Sequence, residues 1–126
     1  QDGGITGVSK GDPNGDPNGD KIFTAVEVNP EPIGGMKTFM SWISSNYDYP
    51  QAALENGING VVEVSFVVER DGSLTDINVK RDLKYGTGDA AVRLLKKAKK
   101  WKPGIQNGRP VRVAYTLPIR LNTIQN

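Results

Sequence analysis

The clearest hydrophobic and polar pattern runs from Gly60 to Lys80. Val62, Val64, Phe66 and Val68 fall on one face, and Glu63, Ser65 and Glu69 on the other, with Val61 and Val67 mixed in. A period of two predicts a strand with one buried side. Arg70-Asp71-Gly72-Ser73 follows as a tight turn, in which Asp-Gly supplies the positive φ. The return strand alternates again, Thr75, Ile77 and Val79 against Asp76, Asn78 and Lys80. A lone hairpin is only marginally stable, so its apolar face requires a cover from the flanking chain.

The flanking segments carry helical and strand patterns suited to that task. Residues 22–29 are β-prone and add a short strand, which Pro30, Pro32 and Gly34-Gly35 end. From Met36 to about Ser45, Met36, Phe39, Met40 and Ile43 form one helical stripe, widened by Trp42. Pro50 opens a short helix with Ala52, Ala53 and Leu54 as its packing face, and Asn56-Gly57 stops it. Past a loop at residues 82–88, the pattern predicts a helix to Trp101 with Ala91, Leu94, Leu95, Ala98 and Trp101 inside; Pro103-Gly104 ends it. Gln106-Asn107-Gly108-Arg109 is a turn. The last strand, Val111 to Leu121, has the longest clean alternation: Val111, Val113, Tyr115, Leu117, Ile119 and Leu121 against Arg112, Ala114, Thr116, Pro118 and Arg120. Pro118 cannot donate to a ladder, which places that part of the strand at a sheet edge or a bulge. An open edge is a template for another strand, although every open sheet has edges.

Composition narrows the chemistry. There is no His and no Cys. The commonest general base and metal ligand, thiol catalysis and Cys-held metals are therefore absent, and no side chains pair as a nucleophile with its base. The expectation is no enzyme, no catalytic residues, no metal site and no cofactor. Net charge is only +2, so no strong field points to nucleic acid. Arg93, Lys96, Lys97, Lys99 and Lys100 read as a solvated helix face, because aromatics are not interleaved with them. Residues 1–21 are rich in Gly, Asp, Pro and Asn, with the repeat DPNGDPNGD, and read as a flexible linker before a domain at 22–126. Asp12, Asn14 and Asp16 match the first ligands of a calcium loop, but Pro17 and Phe23 break the match. No run is long enough to cross a bilayer. The start at Gln1 reads as a mature or excised fragment, with any anchor left upstream.

The ordered marks are Tyr49-Pro50 with Ala52-Ala53, Asn59-Gly60-Val61-Val62 leading into Phe66-Val67-Val68, and Asp71-Gly72. Ala98-x-x-Trp101-Lys102-Pro103-Gly104 and Arg109-Pro110-Val111 complete the series. Over about residues 31–121 the chain closely resembles the C-terminal domain family of TonB, the periplasmic energy transducer of Gram-negative bacteria. The resemblance implies an α+β fold, a three-stranded antiparallel sheet with two to three helices packed on one face. It implies a non-catalytic adaptor that binds the TonB box of outer-membrane TonB-dependent receptors by strand addition. It also implies a link, through a missing N-terminal part, to proton-driven motor proteins of the inner membrane. The partner-binding residues so implied are Val111, Arg112, Val113, Ala114, Tyr115, Thr116 and Leu117 of the last strand, with Tyr49, Pro50 and Gln51. The polar residue that usually stands two before the Tyr is Tyr47 here. The expected location is periplasmic, anchored in the inner membrane by a segment outside this chain. Exposed edges also admit a homodimer. The alternative is an envelope-binding or structural module, holding cell-wall glycan or a partner protein and fused to another membrane protein.

Overall fold

A computed structural model of the chain describes residues 20–123. In order the elements are β1 (Ile22–Phe23), β2 (Glu31–Pro32), α1 (Met36–Asn46), α2 (Gln51–Glu55), β3 (Asn59–Val68), β4 (Leu74–Arg81), α3 (Thr87–Leu95), β5 (Trp101–Lys102), β6 (Gly104–Gln106) and β7 (Arg109–Asn122). The 1–21 linker and the rejected calcium loop lie outside the described residues, apart from Asp20, Lys21 and Phe23.

The fold is α+β. Its centre is the antiparallel set β4, β3 and β7, with β3 in the middle. The β3–β7 ladder runs without interruption from Asn59↔Asn122 to Val68↔Val113. That register puts Val62, Val64 and Phe66 beside Ile119, Leu117 and Tyr115 on one face. There they join Phe39 and Ile43 of α1 and Ala90, Ala91, Leu94 and Leu95 of α3 in the core. The helices thus cover one side of the sheet, as a half-buried antiparallel sheet requires. On the other side the cross-strand pairs are Val67 with Ala114, Ser65 with Thr116, Glu63 with Pro118 and Val61 with Arg120. Short strands extend this frame. β6 pairs with the start of β7, and β2 pairs with β5 in a separate two-stranded sheet. Asn107 and Gly108 both have positive φ, 53° and 76°, the conformation of a two-residue I′ hairpin turn.

Three expectations change. The helix predicted to reach Trp101 ends at Leu95, and Trp101 is a strand residue paired with Pro32. The Trp101 amide donates to the Gly72 carbonyl at 2.8 Å. This bond ties the backbone to the hairpin turn, and Pro103 disfavours helical backbone at Lys102. The return strand does not keep one parity. Asp76 has φ 50°, and the register shifts between Ser65 and Val67, the mark of a bulge. Thr75 therefore sits opposite Val67, and its hydroxyl meets Glu69, while Leu74 and Ile77 pack on the core. In α2, only Ala53 of the three expected packing residues is buried; Leu54 is 44% exposed.

Trp101 is the keystone of the helix side. It is 2% exposed and stands edge-on to Phe39, Phe66 and Tyr115, with ring centroids 5.2, 5.3 and 5.2 Å away. A β-carbon on Gly72 would lie 1.9 Å from the Trp101 carbonyl oxygen, so only glycine permits this approach.

Candidate functional site

The last strand has one side on β3, and its other side decides what the protein can bind. Three observations fix the direction of its backbone groups. Pro118 has no N–H yet sits within an unbroken ladder, so its empty donor position faces away from β3. The Asn122 amide donates to the Tyr49 hydroxyl at 3.1 Å, outside the ladder. The next amide, Thr123, donates to Asn59 Oδ1 at 2.8 Å, back towards β3. Even-numbered residues of β7 therefore direct their N–H and C=O outwards.

Two short contacts bound that outer edge. At one end β1 runs parallel to β7, Ile22 opposite Arg112 and Phe23 opposite Val113. At the other, the Tyr49 hydroxyl takes the Asn122 amide. Between them, Ala114 to Leu121 has no strand on its outer side among the described residues. This span is roughly 24 Å long at about 3.4 Å per residue. Its open N–H groups belong to Thr116 and Arg120, the Ala114 N–H being taken by the Phe23 carbonyl in the parallel pairing, and its outward carbonyls belong to Ala114, Thr116, Pro118 and Arg120. The side chains of all four are exposed. No bulge interrupts this stretch, so a second strand could lie along it.

The sequence-predicted site residues are thus divided. Ala114, Thr116 and the half-buried Tyr115 lie on the open span, and Leu117 belongs to it through its backbone while its side chain is buried. Val111, Arg112 and Val113 are already paired within the chain, Val111 with Gly104 of β6 and the other two with β1. Tyr49 and Pro50 are partly buried and Gln51 is exposed. The Tyr49 bond to Asn122 brings this segment to the end of the edge, so the two predicted groups meet.

Tyr47 lies inward. It is 8% exposed, its hydroxyl donates to the Thr87 carbonyl at 2.7 Å, and it meets Tyr49 edge-on at 4.9 Å. Burial, helped by Tyr49, pushes its hydroxyl well above the usual tyrosine pKa. Tyr47 therefore positions Tyr49. The neighbouring loop is held by Asp82, whose Oδ1 accepts from the Lys84 amide, the Thr87 hydroxyl and the Gly88 amide at 2.9, 3.1 and 3.1 Å. Burial opposes ionisation of Asp82, but these donors outweigh it and hold the carboxyl below its usual range. Lys84, Tyr85 and Gly86 all have positive φ, and Gly86 lies against Pro50. Arg112 and Glu69, not predicted as a pair, form a two-pronged ion pair at 2.8 and 3.2 Å. The hydrogen bond from Arg112 lowers the Glu69 pKa, with burial opposing and Thr75 assisting.

With this geometry in view, comparison with known proteins is decisive on family. The profile described as Gram-negative bacterial TonB protein C-terminal matches residues 45–123. The chain belongs to the TonB C-terminal domain family. A solution structure of the Helicobacter pylori TonB C-terminal domain, residues 179–285, is 31% identical with a TM-score of 0.56. The match covers 72% of this chain and 82% of that one. A second structure of the same H. pylori domain, residues 194–285, is 28% identical with a TM-score of 0.49, covering 72% and 96%. The C-terminal domain of Pseudomonas aeruginosa TonB is 27% identical with a TM-score of 0.40, covering 59% and 77%. No functionally curated protein matches. The TonB C-terminal domain is a non-catalytic, periplasmic-type domain of Gram-negative bacteria involved in TonB-dependent transport. Among the described residues no helix is long and apolar enough to cross a membrane, and no cluster of three or more acidic, His or Cys side chains is placed to hold a metal.

Proposed function

We propose that this domain is the receptor-binding end of an energy transducer. It takes the N-terminal TonB-box segment of an outer-membrane TonB-dependent receptor as an added strand along Ala114–Leu121. It is anchored in the inner membrane through a segment outside this chain and passes on force from the proton-driven motor there. The observation that carries this reading is the unbulged outer edge of β7, bounded at both ends, with open outward donors at Thr116 and Arg120. Backbone hydrogen bonds supply the affinity in strand addition, and alternate side chains supply selectivity. Such a bond also suits a pulling load, because an added strand shares its tension among several bonds. Tyr49, Pro50 and Gln51 at the end of the span offer the partner a second contact.

The test is an amide-resolved NMR titration with TonB-box peptides. Shifts should concentrate at Ala114–Leu121 and around Tyr49, and Thr116→Pro should weaken binding while the domain stays folded. Undiminished binding by folded Thr116→Pro would refute the edge as the site. The same titration at several protein concentrations shows whether copies pair through this edge.

A second reading, attachment to cell-wall glycan, is favoured by one feature on the helix side. Pro32, Ile33, Thr38, Phe39, Trp42, Lys99, Lys100 and Trp101 line an apolar groove of about 200 Å³. Trp42 and Phe39 stack there at 5.7 Å, a surface suited to a sugar ring. Retention on purified peptidoglycan that is lost in Trp42→Ala, with peptide binding intact, would support this second role.

A further inference from the structure

The two residues of β1 hold a place that the proposed partner strand would otherwise extend into. By the parity of β7, the N–H and C=O of Arg112 and the N–H of Ala114 face outwards, and β1 is what meets them. We propose that β1 is an internal competitor for the receptor strand, displaced when a partner long enough to pass Ala114 binds. This rests on the strand-addition reading above.

The contacts that hold β1 are few and superficial. The Arg112 guanidinium reaches out through Nη1 to the Asp20 carbonyl at 2.9 Å. Its remaining nitrogens stay on Glu69, so releasing Asp20 does not strand the charge. The Lys21 ammonium lies 4.7 Å from the centre of the Phe23 ring. Lys21 and Ile22 are exposed, and Phe23 is only partly buried. After Phe23 the chain bends away. Its next backbone anchor is Val28, which exchanges hydrogen bonds with Ile105 at 3.1 and 2.9 Å. Residues 24–27 thus link a weak strand to the backbone bridge at Val28, although the Glu27 side chain and amide also meet the Asn107 turn. A strand of two residues is shorter than ordinary strands and belongs with the segments that open most readily. Any partner needing the Arg112 groups then binds with an affinity reduced by the fraction of molecules in which β1 is home.

The test uses a reversible lock. Ile22 and Arg112 are directly opposite, a separation within disulfide reach, and the chain has no cysteine of its own. Ile22→Cys with Arg112→Cys therefore gives one protein in two states, β1 fixed when oxidised and free when reduced. The probe is a synthetic ten-residue TonB-box peptide, titrated against both states and against the unsubstituted chain. The oxidised form should bind about fivefold or more weakly than the reduced form, the worth of about two backbone hydrogen bonds. Phe23→Pro, which removes the β1 donor to the Arg112 carbonyl, should tighten binding by a similar factor. Equal affinity in the two redox states overturns the competitor and leaves strand addition standing. No binding in any form overturns strand addition itself and the competitor with it.

Discussion

Gly72→Ala tests how the central hairpin is fastened to the helix side. Gly72 has φ 89°, where a β-carbon costs about 1–2 kcal/mol. The added carbon would lie 1.9 Å from the Trp101 carbonyl oxygen, so the turn must move away by more than an ångström. That movement breaks the 2.8 Å bond from the Trp101 amide to the Gly72 carbonyl, about 1 kcal/mol. It also disturbs three edge-on ring contacts of Trp101, each about 0.5–1.5 kcal/mol if lost. With those contacts partly kept, the total is about 3–5 kcal/mol, in the range reserved for severe single substitutions. Gly108→Ala is the matched control. Its φ is 76° and nothing lies within 4 Å of the added carbon, so only strain remains, about 1–2 kcal/mol. Urea unfolding followed by tryptophan fluorescence gives both values. If the two variants fall within about 0.5 kcal/mol of each other, the docking of the turn on Trp101 does not hold the fold in the way described.

Three further outcomes are expected. Leu117→Pro should cost about 3 kcal/mol or more, because its amide faces β3, whereas Thr116→Pro should cost far less because its amide faces out; urea midpoints of the two decide the parity of β7. Tyr47→Phe leaves the Thr87 carbonyl without its 2.7 Å donor and should cost about 1–3 kcal/mol. Because the folded pKa of Tyr47 is raised, its contribution is complete below about pH 10 and is lost as pH climbs through the folded pKa; the variant should show a flatter alkaline limb in thermal melts. Glu69→Gln weakens the bond to a partly exposed Arg112, about 1 kcal/mol at neutral pH. The Glu69 pKa is lowered in the fold, so its contribution is present above about pH 4.3 and vanishes as pH falls through the depressed value; the gap between variant and wild type should close in acid.

The long strands were legible in the sequence because one buried face imposes a period of two, and β3 and β7 keep that period for their whole paired length. β4 broke the pattern at Asp76, where a positive φ changes the parity of the side chains that follow, up to a second register shift before Arg81. Composition gives little warning of this, since Asp tolerates such a backbone without requiring it. The end of α3 was hidden for a different reason. Leu94, Ala98 and Trp101 have helical spacing, and contacts from across the fold, the pairing of Trp101 with Pro32 and its bond to Gly72, hold the tryptophan in a strand. The candidate edge was visible through Pro118. Its limits were not, because β1 is two residues long and the Tyr49 bond to Asn122 joins segments 73 positions apart.

The two long edges of this sheet are treated differently, and the difference bears on function. The β4 edge carries two register shifts against β3 and exposes Asp76, Asn78, Lys80 and Arg81. Irregularity and charge are the usual devices against unwanted strand pairing. The β7 edge has neither a bulge nor a continuous charged row between Ala114 and Leu121. What limits it is placement: β1 at one end, Tyr49 at the other, and Pro118 removing one donor near the middle. An edge needing only protection would be served by the devices already used on β4. An edge left regular but closed at both ends is suited to a strand of defined length and register, and the missing donor at Pro118 penalises a long indiscriminate ladder more than a short partner that bonds at Thr116 and the Ala114 carbonyl. The Thr116→Pro titration and the β1 lock probe the two halves of that argument separately, the first by removing a donor and the second by fixing a boundary.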